Sequence, residues 1–264
     1  MYSKSFATFL IGVKQEVVYK IELVIGLLIS FVWPLVLIVL WYAVFNATHS
    51  STISGYTVES LASYYLISAG LLTLMTSDLF SSLSDSIGDG TVAQFLIKPM
   101  SVLWQVFLLG LPDVVVTGLL KALPMIIIAI IVFAIPVAPA MLLMFAAEVL
   151  IGFVILQLLQ LMISMSAVTF TNVYGIYFLF GSISGLLGGS FIPLNMLPGW
   201  AAKLVGVLPF QFAYYVPLSV INGHFSTAQA LSMMPLAAFW VALLGALALL
   251  QWQYTKRHID AVGV

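Results

Sequence analysis

The sequence predicts an all-α integral membrane protein with about six transmembrane helices. Of its 264 residues, 63% are hydrophobic and only 6% are charged, and the mean hydropathy is +1.19. A soluble domain with so few charges would expose extensive apolar surface to water. The length accommodates roughly six helices of about 20 residues with their connections. We therefore treat residues 1–264 as a single transmembrane domain.

Charge and cysteine content exclude several kinds of chemistry. The net charge of −1 provides no basic surface for nucleic acid, and the absence of cysteine excludes disulfides and thiolate metal sites. A phosphate-binding loop needs glycines before a Lys-Ser or Lys-Thr pair, but Lys4-Ser5 has none. The histidines, which are His49, His224 and His258, lack metal-ligand spacing. We expect no metal, cofactor or catalytic residue in this chain, which disfavours an intramembrane enzyme.

The first twenty residues predict an amphipathic helix on the cytoplasmic membrane surface. At 100° per residue, six apolar side chains fall opposite Lys4 and Glu16: Tyr2, Phe6, Phe9, Leu10, Val13 and Val17. Ile11 and Val18 depart from this pattern. The next apolar run, Ile21–Phe45, is too long for a signal-peptide core, so we interpret it as the first span.

Polar and proline-rich breaks divide the rest of the chain. We predict spans near residues 21–45, 61–80, 113–134, 140–166, 173–192 and 227–252. With both termini in the cytoplasm, six of the eight basic residues are cytoplasmic: Lys4, Lys14, Lys20, Lys98, Lys256 and Arg257. Lys203 would lie outside and Lys121 within a span. Basic residues near short loops favour the cytoplasmic side, which supports this orientation.

A polar segment over residues 81–101 interrupts the apolar sequence. Leu79, Leu83 and Ile87 recur every four residues. This spacing predicts that the second span continues as a helix into the segment. Gly88-Asp89-Gly90 should then end the helix, because two glycines flank an aspartate there.

A shorter helix is predicted after this break. Thr91 and Gln94 have the spacing of a capping box, and Pro99 ends the helix. We expect the helix over Val92–Ile97, with three apolar side chains facing outward: Val92, Phe95 and Leu96. Two interpretations remain open from the residues alone. The segment binds a water-soluble partner, or it packs as a polar loop beneath the helices.

Two stretches are similar to one family of membrane proteins. Residues 88–101, GDGTVAQFLIKPMS, resemble the pattern G-T-x-x-x-x-L-x-x-P-x-S of ABC-2 type exporter permeases, which are the membrane subunits of ABC transporters with the ABCG-like (type V) fold. Residues 190–224, SFIPLNMLPGWAAKLVGVLPFQFAYYVPLSVINGH, resemble the segment before their last span. With the amphipathic N-terminus and the six predicted spans, the resemblance covers nearly the whole chain.

The resemblance implies specific roles for both segments. Residues 81–101 would carry a coupling helix, Thr91–Ile97, that docks on an ATPase through Thr91, Val92, Gln94, Phe95 and Leu96. Pro193–Gly223 would form short re-entrant helices within the external segment 193–226. The prolines in this segment predict an irregular backbone. At membrane depth such a backbone is tolerated only where it is buried in protein or lines a water-filled cavity, which agrees with short re-entrant helices.

The resemblance also implies partners. Two cytosolic ABC ATPase subunits would bind ATP and Mg²⁺, and a second permease, identical or homologous to this chain, would complete the pathway. The chain is similar to a subgroup in which two different permeases often share one ATPase. We expect a multi-pass protein of the bacterial plasma membrane. Its exported substrate is unidentified, and an apolar lining would suit amphipathic drugs, lipids or peptides.

Three ionisable residues of the predicted spans are expected at membrane depth: Asp113, Lys121 and Glu148. Such residues usually face protein or water and often serve transport, so they are candidates for the substrate pathway. They also support an alternative function, an ion-coupled secondary transporter or channel. However, the two halves of the chain show no repeat of the kind found in many carriers. The structural alternative places Asp113 at the interface and lets Lys121 extend toward it.

The fifth span contains three glycines at four-residue spacing: Gly181, Gly185 and Gly189. A strip of small residues allows helices to approach closely in lipid. The strip predicts a close contact either within the subunit or between two permeases of a dimer.

Overall fold

The structure, a computed structural model, describes residues 12–14, 20–76, 79–170 and 173–262. Its helices are α1 (Lys20–Ser30), α2 (Val32–Thr48), α3 (Val58–Met75), α4 (Ser81–Gly88), α5 (Ala93–Leu96), α6 (Val102–Thr117), α7 (Leu123–Val132), α8 (Pro139–Met165), α9 (Tyr174–Gly188), α10 (Gly199–Val205), α11 (Tyr215–Ile221) and α12 (Thr227–Val262). A π-helical turn, Gly118–Ala122, joins α6 to α7. We number the spans 1 to 6: α1 with α2, α3, α6 with α7, α8, α9 and α12.

Within the described ranges, five helices are long and apolar enough to cross a membrane: Val24–Thr48, Val58–Met75, Val102–Val132, Pro139–Val168 and Thr227–His258. Helix α9 is apolar but has 15 residues, which extend about 22 Å. Helix α10 and the segment Pro209–Ile221 form a pair bent by 80°. These elements confirm the predicted all-α integral membrane fold.

Span 3 begins at Val102, well before the predicted start at residue 113. The sequence from Val102 is already apolar, and Pro112 lies inside helix α6 rather than ending it. A Cβ atom at Gly110 would collide with the backbone of Leu79. The early part of α6 is therefore a close packing surface for the inner loop.

Span 2 ends at Met75, so the prediction of a helix that continues to Ile87 is wrong. The helix begins again at Ser81. Span 4 supplies hydrogen bonds on both sides of the break: Gln160 Nε2 donates to the Met75 carbonyl at 3.0 Å, and Ser164 Oγ donates to the Phe80 carbonyl at 3.0 Å. Because a neighbouring helix satisfies these carbonyls, the chain can leave the helix at this depth.

The predicted interfacial helix over residues 1–20 lies mostly outside the described residues. Residues 12–14 are described and are helical. Gly12 packs closely against the Pro112 side chain of span 3. This contact places that short stretch beside the early part of span 3.

Span 2 forms the centre of the half of the subunit that lies opposite the loop of residues 76–101. Its hydroxyl groups bind three consecutive carbonyls at the end of α9: Tyr64 to Gly189 at 2.6 Å, Ser68 to Ser190 at 3.2 Å, and Tyr65 to Phe191 at 3.1 Å. Gly189 has a φ of 86° and ends α9 in the left-handed conformation, which glycine adopts without strain. We call these hydrogen bonds the outer clamp.

The chain between spans 5 and 6 packs deeply against span 4. A Cβ atom at Gly152 would collide with the backbone of Phe212 and Ala213. Trp240 of span 6 donates a hydrogen bond to the Val207 carbonyl at 2.9 Å. The turn after α10 is therefore bonded to span 6, and the segment that leads into α11 packs on span 4, within the segment where re-entrant helices were expected.

Candidate functional site: the inner loop and the polar residues of the spans

The inner loop, residues 76–101, contains the two short helices α4 and α5. Gly90 joins them with a φ of 78°, a conformation that favours glycine. The Val92 backbone N–H then donates to the Ser86 carbonyl at 2.9 Å, which folds the second helix back on the first. The loop is thus a compact pair of helices rather than an extended connection.

The predicted capping box between Thr91 and Gln94 does not form. Instead, the Asp89 carboxylate accepts hydrogen bonds from the Thr91 hydroxyl at 2.6 Å and from the Thr91 backbone N–H at 2.9 Å. These bonds, the hydroxyl first, lower the pKa of Asp89. Because the Thr91 side chain is engaged with Asp89, it does not cap the helix, which has four residues, Ala93–Leu96, instead of the expected six.

The apolar side chains of this helix divide between two directions. Val92 is only 5% exposed and Phe95 is half-buried against the subunit, so the expectation that both face outward is corrected. Leu96 is 37% exposed and Ile97 is 84% exposed. The sequence analysis did not identify Ile97 as an outward residue. Its position directly before Lys98 and Pro99, at the end of the helix, was the signal that could have indicated this. The outward apolar surface of the loop is formed by Leu96 and Ile97.

Span 3 holds the outward surface in place. Gln105 Nε2 donates to the Phe95 carbonyl at 2.8 Å and to the Met100 carbonyl at 2.9 Å. The Lys98 ammonium lies 5.4 Å from the centre of the Phe95 ring, within the range of a cation–π contact. One buried glutamine therefore fixes both ends of the segment that carries Leu96 and Ile97.

Spans 4 and 5 also contact the loop. The Tyr174 hydroxyl, at the start of span 5, donates to the Asp85 carboxylate at 3.1 Å. The Ser164 hydroxyl of span 4 lies 2.5 Å from the Tyr177 hydroxyl and also donates to the Phe80 carbonyl. A displacement of the loop would therefore act on spans 3, 4 and 5 through specific hydrogen bonds.

A small cavity of about 80 Å³ lies beside these contacts. Its lining comes from the end of span 2 and from spans 4 and 5: Met75, Thr76, Leu156, Gln160, Tyr177, Phe180, Gly181 and Ser184. Its volume corresponds to roughly two or three waters at about 30 Å³ each. Hydroxyl and amide groups line it together with apolar side chains, so it is a recess of mixed character beside the inner loop.

The three intramembrane ionisable residues have separate environments. Asp113 accepts a hydrogen bond from Thr117 at 3.2 Å. Lys121 belongs to the π-helical turn, and its Nζ lies 3.5 Å from the position that a Cβ of Gly26 would occupy. Glu148 is fully buried, and neither of its carboxylate oxygens has a hydrogen-bond partner among the described residues. The structure does not assemble these residues into one site.

The three glycines of the fifth span do not form one strip. A Cβ at Gly181 would meet nothing within 4 Å, whereas one at Gly185 would lie 2.9 Å from the Phe191 ring and 3.1 Å from the Ser190 hydroxyl. Gly189 stands after the last helical residue. Gly185 thus packs against its own chain, Gly189 ends the helix, and Gly181 borders the recess between spans 2, 4 and 5, with no atom within 4 Å of its Cβ position.

Comparison with known proteins gives one family. A search of curated proteins found no match. The family model described as ABC-2 family transporter protein matches residues 31–261, which include every span from the second half of span 1 onward. It also includes the inner loop and the short helices α10 and α11. The chain therefore belongs to the ABC-2 family of transporter proteins, as a membrane-spanning permease component of an ABC transporter.

Proposed function

We propose that the chain is one half of an export pathway and that its inner loop docks on a separate cytosolic ATPase. Two such ATPase subunits would serve the complex and would hold ATP and Mg²⁺. The observation that carries this proposal is the outward pair Leu96 and Ile97, on a loop whose backbone is fixed by Gln105. An exposed apolar pair on a polar loop is suited to a protein cleft.

Thr91, Val92, Gln94, Phe95 and Leu96 would act in this coupling in two different ways. Leu96, with Ile97, would contact the ATPase. Val92 and Phe95 would support that surface from within the subunit, since they pack inward. Thr91 would position the helix through Asp89, and the exposed Gln94 would lie at the edge of the contact.

The second permease would pack against span 5. The outward side of this helix is strongly apolar, with Phe178 80% exposed, and Tyr174, Leu179 and Leu186 are exposed as well. Gly181 borders the recess, but an added Cβ there would meet nothing within 4 Å, so this position would allow the two helices to approach. The partner would be a second copy or a homologous chain.

The orientation would place both termini in the cytoplasm of a bacterium. The exposed cations Lys98, Lys256 and Arg257 support this proposal, because they lie in the inner loop and at the end of span 6. The inner membrane is then the expected location. The polar loop would face the compartment that contains the ATPase.

The coupling surface is tested by Ile97→Asp and Leu96→Asp in the complex with its ATPase. We expect each variant to insert normally but to lose most copurified ATPase and transport-linked ATP turnover. Val207→Asp is the matched control, since it changes another exposed apolar residue in the turn after α10. Unchanged complex and ATP turnover in both loop variants would contradict the proposed coupling.

The dimer surface is tested by comparing leucine substitutions at two glycines of span 5. Gly181→Leu should reduce crosslinking between permeases without lowering the melting temperature of the single subunit. Gly185→Leu should destabilise the subunit itself, because the added side chain would meet Phe191. Full crosslinking in Gly181→Leu would show that span 5 meets its partner elsewhere or not at all.

The intramembrane ionisable residues remain candidates for the substrate pathway. Asp113, Lys121 and Glu148 would contribute separately, since they are not neighbours. An ion-coupled carrier that used them jointly is less well supported, because Asp113 is bonded to Thr117 and Glu148 is enclosed. Transport that continues without ATP under an ion gradient would favour that alternative.

A further inference from the structure

The residue count places Lys121 near the middle of the part of span 3 that would cross the hydrocarbon core. Gly110 of the same span touches Leu79, close to the inner end of span 2, and Lys121 follows eleven residues later. At 1.5 Å per residue this separation is about 16 Å. Val132, the last residue of α7, is a similar distance further along. Since a hydrocarbon core is about 30 Å thick, neither interface is within reach of a lysine side chain.

The Lys121 ammonium is directed toward span 1. Its Cε and Nζ each lie 3.5 Å from the position that a Cβ of Gly26 would occupy, so the ammonium lies directly beside the backbone of Gly26. Lys121 belongs to the π-helical turn, which interrupts the regular α-helical spacing after Thr117. This direction differs from the sequence-based alternative, in which Lys121 extends to the interface.

The described side chains provide no counter-charge for this ammonium. Asp113 lies about two turns lower and is bonded to Thr117. Glu148 is enclosed, with no hydrogen-bond partner among the described residues. A cation at this depth is costly unless an anion or water compensates it.

The position is open to the lipid. Lys121 is itself partly exposed, and its neighbours on the two helices, Ile25 and Leu120, are exposed apolar side chains. A molecule that entered laterally from the bilayer would therefore meet apolar walls around one positive charge. This combination suits an amphipathic anion better than a neutral lipid or a soluble ion.

We propose that Lys121, where it lies beside Gly26, is a binding site for the carboxylate or phosphate group of a membrane-soluble anion that the transporter exports. This inference rests on the proposed export function, since it names the class of substrate. Spans 1 and 3 admit the anion from the bilayer. The Lys121 ammonium pairs with its charged group, and the apolar side chains contact its hydrocarbon part.

The test is photolabelling of the purified permease by a diazirine-bearing stearic acid, in phosphatidylcholine nanodiscs without ATPase. We expect Lys121→Met to reduce labelling of spans 1 and 3 at least about tenfold, as expected for loss of a charge pair in a dry site. Lys121→Arg should retain labelling. Lys203→Met, which removes a cation from helix α10, is the matched control and should label as wild type. Melting temperatures verify that each variant is folded.

Competition identifies the ligand. Oleate should displace the label and oleyl alcohol should not, because only oleate is charged. Displacement by phosphatidylglycerol, added to the nanodiscs at a fifth of the lipid, would assign the site to a resident headgroup and overturn the export role. Equal labelling of a folded Lys121→Met variant would overturn the site itself.

A charge supplied by the chain would also overturn the proposal. Glu22 precedes Gly26 by one helical turn in sequence. If Glu22→Gln restored normal stability and labelling to Lys121→Met, the ammonium would serve an internal ion pair. The labelling requires no ATPase, so its failure is distinguishable from failure of the coupling tested at Ile97. Loss of ATPase docking with labelling intact would contradict only the proposed coupling.

Discussion

Spans 1 and 2 are consecutive in the chain and adjacent in the fold, but they are buried to very different extents. In the isolated subunit, 67% of span 2 is buried, compared with 6% of the most apolar part of span 1. The more apolar helix is the exposed one. In a bilayer, lipid solvates apolar side chains, so burial depends on packing and on hydrogen bonds between helices.

The polar side chains of span 2 account for this difference. Tyr64, Tyr65 and Ser68 each donate to a carbonyl of the outer clamp, and Ser63 donates to Asn222 at 2.6 Å. Span 1 presents Val36, Val39 and Leu40 to the surroundings. Substitutions in the two spans should therefore differ in cost, and the following experiments test that contrast in order of expected effect.

The largest effect is expected from Gly70→Leu in span 2. A Cβ at Gly70 would lie 2.9 Å from the Ala122 carbonyl oxygen, and a backbone atom cannot move aside easily. Overpacking should lower the free energy of unfolding by about 3 kcal/mol. Thermal unfolding in detergent measures the change. Gly245→Leu in span 6, where a Cβ meets nothing within 4 Å, should leave stability nearly unchanged.

Tyr64→Phe tests the outer clamp. The substitution leaves the Gly189 carbonyl without its 2.6 Å donor in a fully buried position. The unfolding free energy should fall by about 2 kcal/mol. Tyr42→Phe in span 1 removes an exposed hydroxyl and should have no measurable effect. Equal losses in the two variants would contradict the contrast between the spans.

Trp41→Phe tests a polar connection between the two spans. The Trp41 indole donates to the Tyr65 hydroxyl at 2.7 Å. Its loss should cost about 1 kcal/mol, because the Tyr65 oxygen keeps its bond to Phe191. Trp33→Phe is the control, since phenylalanine retains the aromatic contact of Trp33 with Phe191. A larger loss in Trp33→Phe would show that ring packing, rather than hydrogen bonding, holds span 1.

Cysteine labelling tests whether the loop between spans 1 and 2 is external, and it should leave stability unchanged. An impermeant maleimide should modify Ser51→Cys in intact cells, because Ser51 is exposed in this loop. Gln94→Cys, exposed in the inner loop, should react only after permeabilisation. The reverse pattern would invert the proposed orientation.

Much of the fold could be predicted from the sequence because membrane spans are encoded by long apolar runs. The order of the spans and the position of the inner loop follow from such runs and their breaks. The early start of span 3 could not be inferred from Pro112, because a proline inside a helix of a water-soluble protein usually kinks or ends that helix. Within the subunit, α6 continues through this proline while packing against Leu79 and Gly12.

The candidate site was less predictable because it depends on competing local contacts. Thr91 has capping-box spacing, but the carboxylate of Asp89, two residues away, accepts the hydrogen bond from its hydroxyl. The glycine spacing in span 5 suggested one surface, but α9 ends at Gly188 and removes Gly189 from the helix. Lys121 lies in a π-helical turn, which has no sequence signature. Periodicity assigns a face only where the helix is regular.

The outer clamp has a consequence for how the protein is made. Its donors on span 2 are synthesised 122 to 126 residues before the carbonyls they bind. During translation, span 2 is made before span 5, so its three hydroxyls lack these carbonyl partners until span 5 has emerged from the ribosome. A chain whose second span fails to insert would expose three bare carbonyls to lipid, which would mark the nascent permease for proteolysis before any partner subunit arrives.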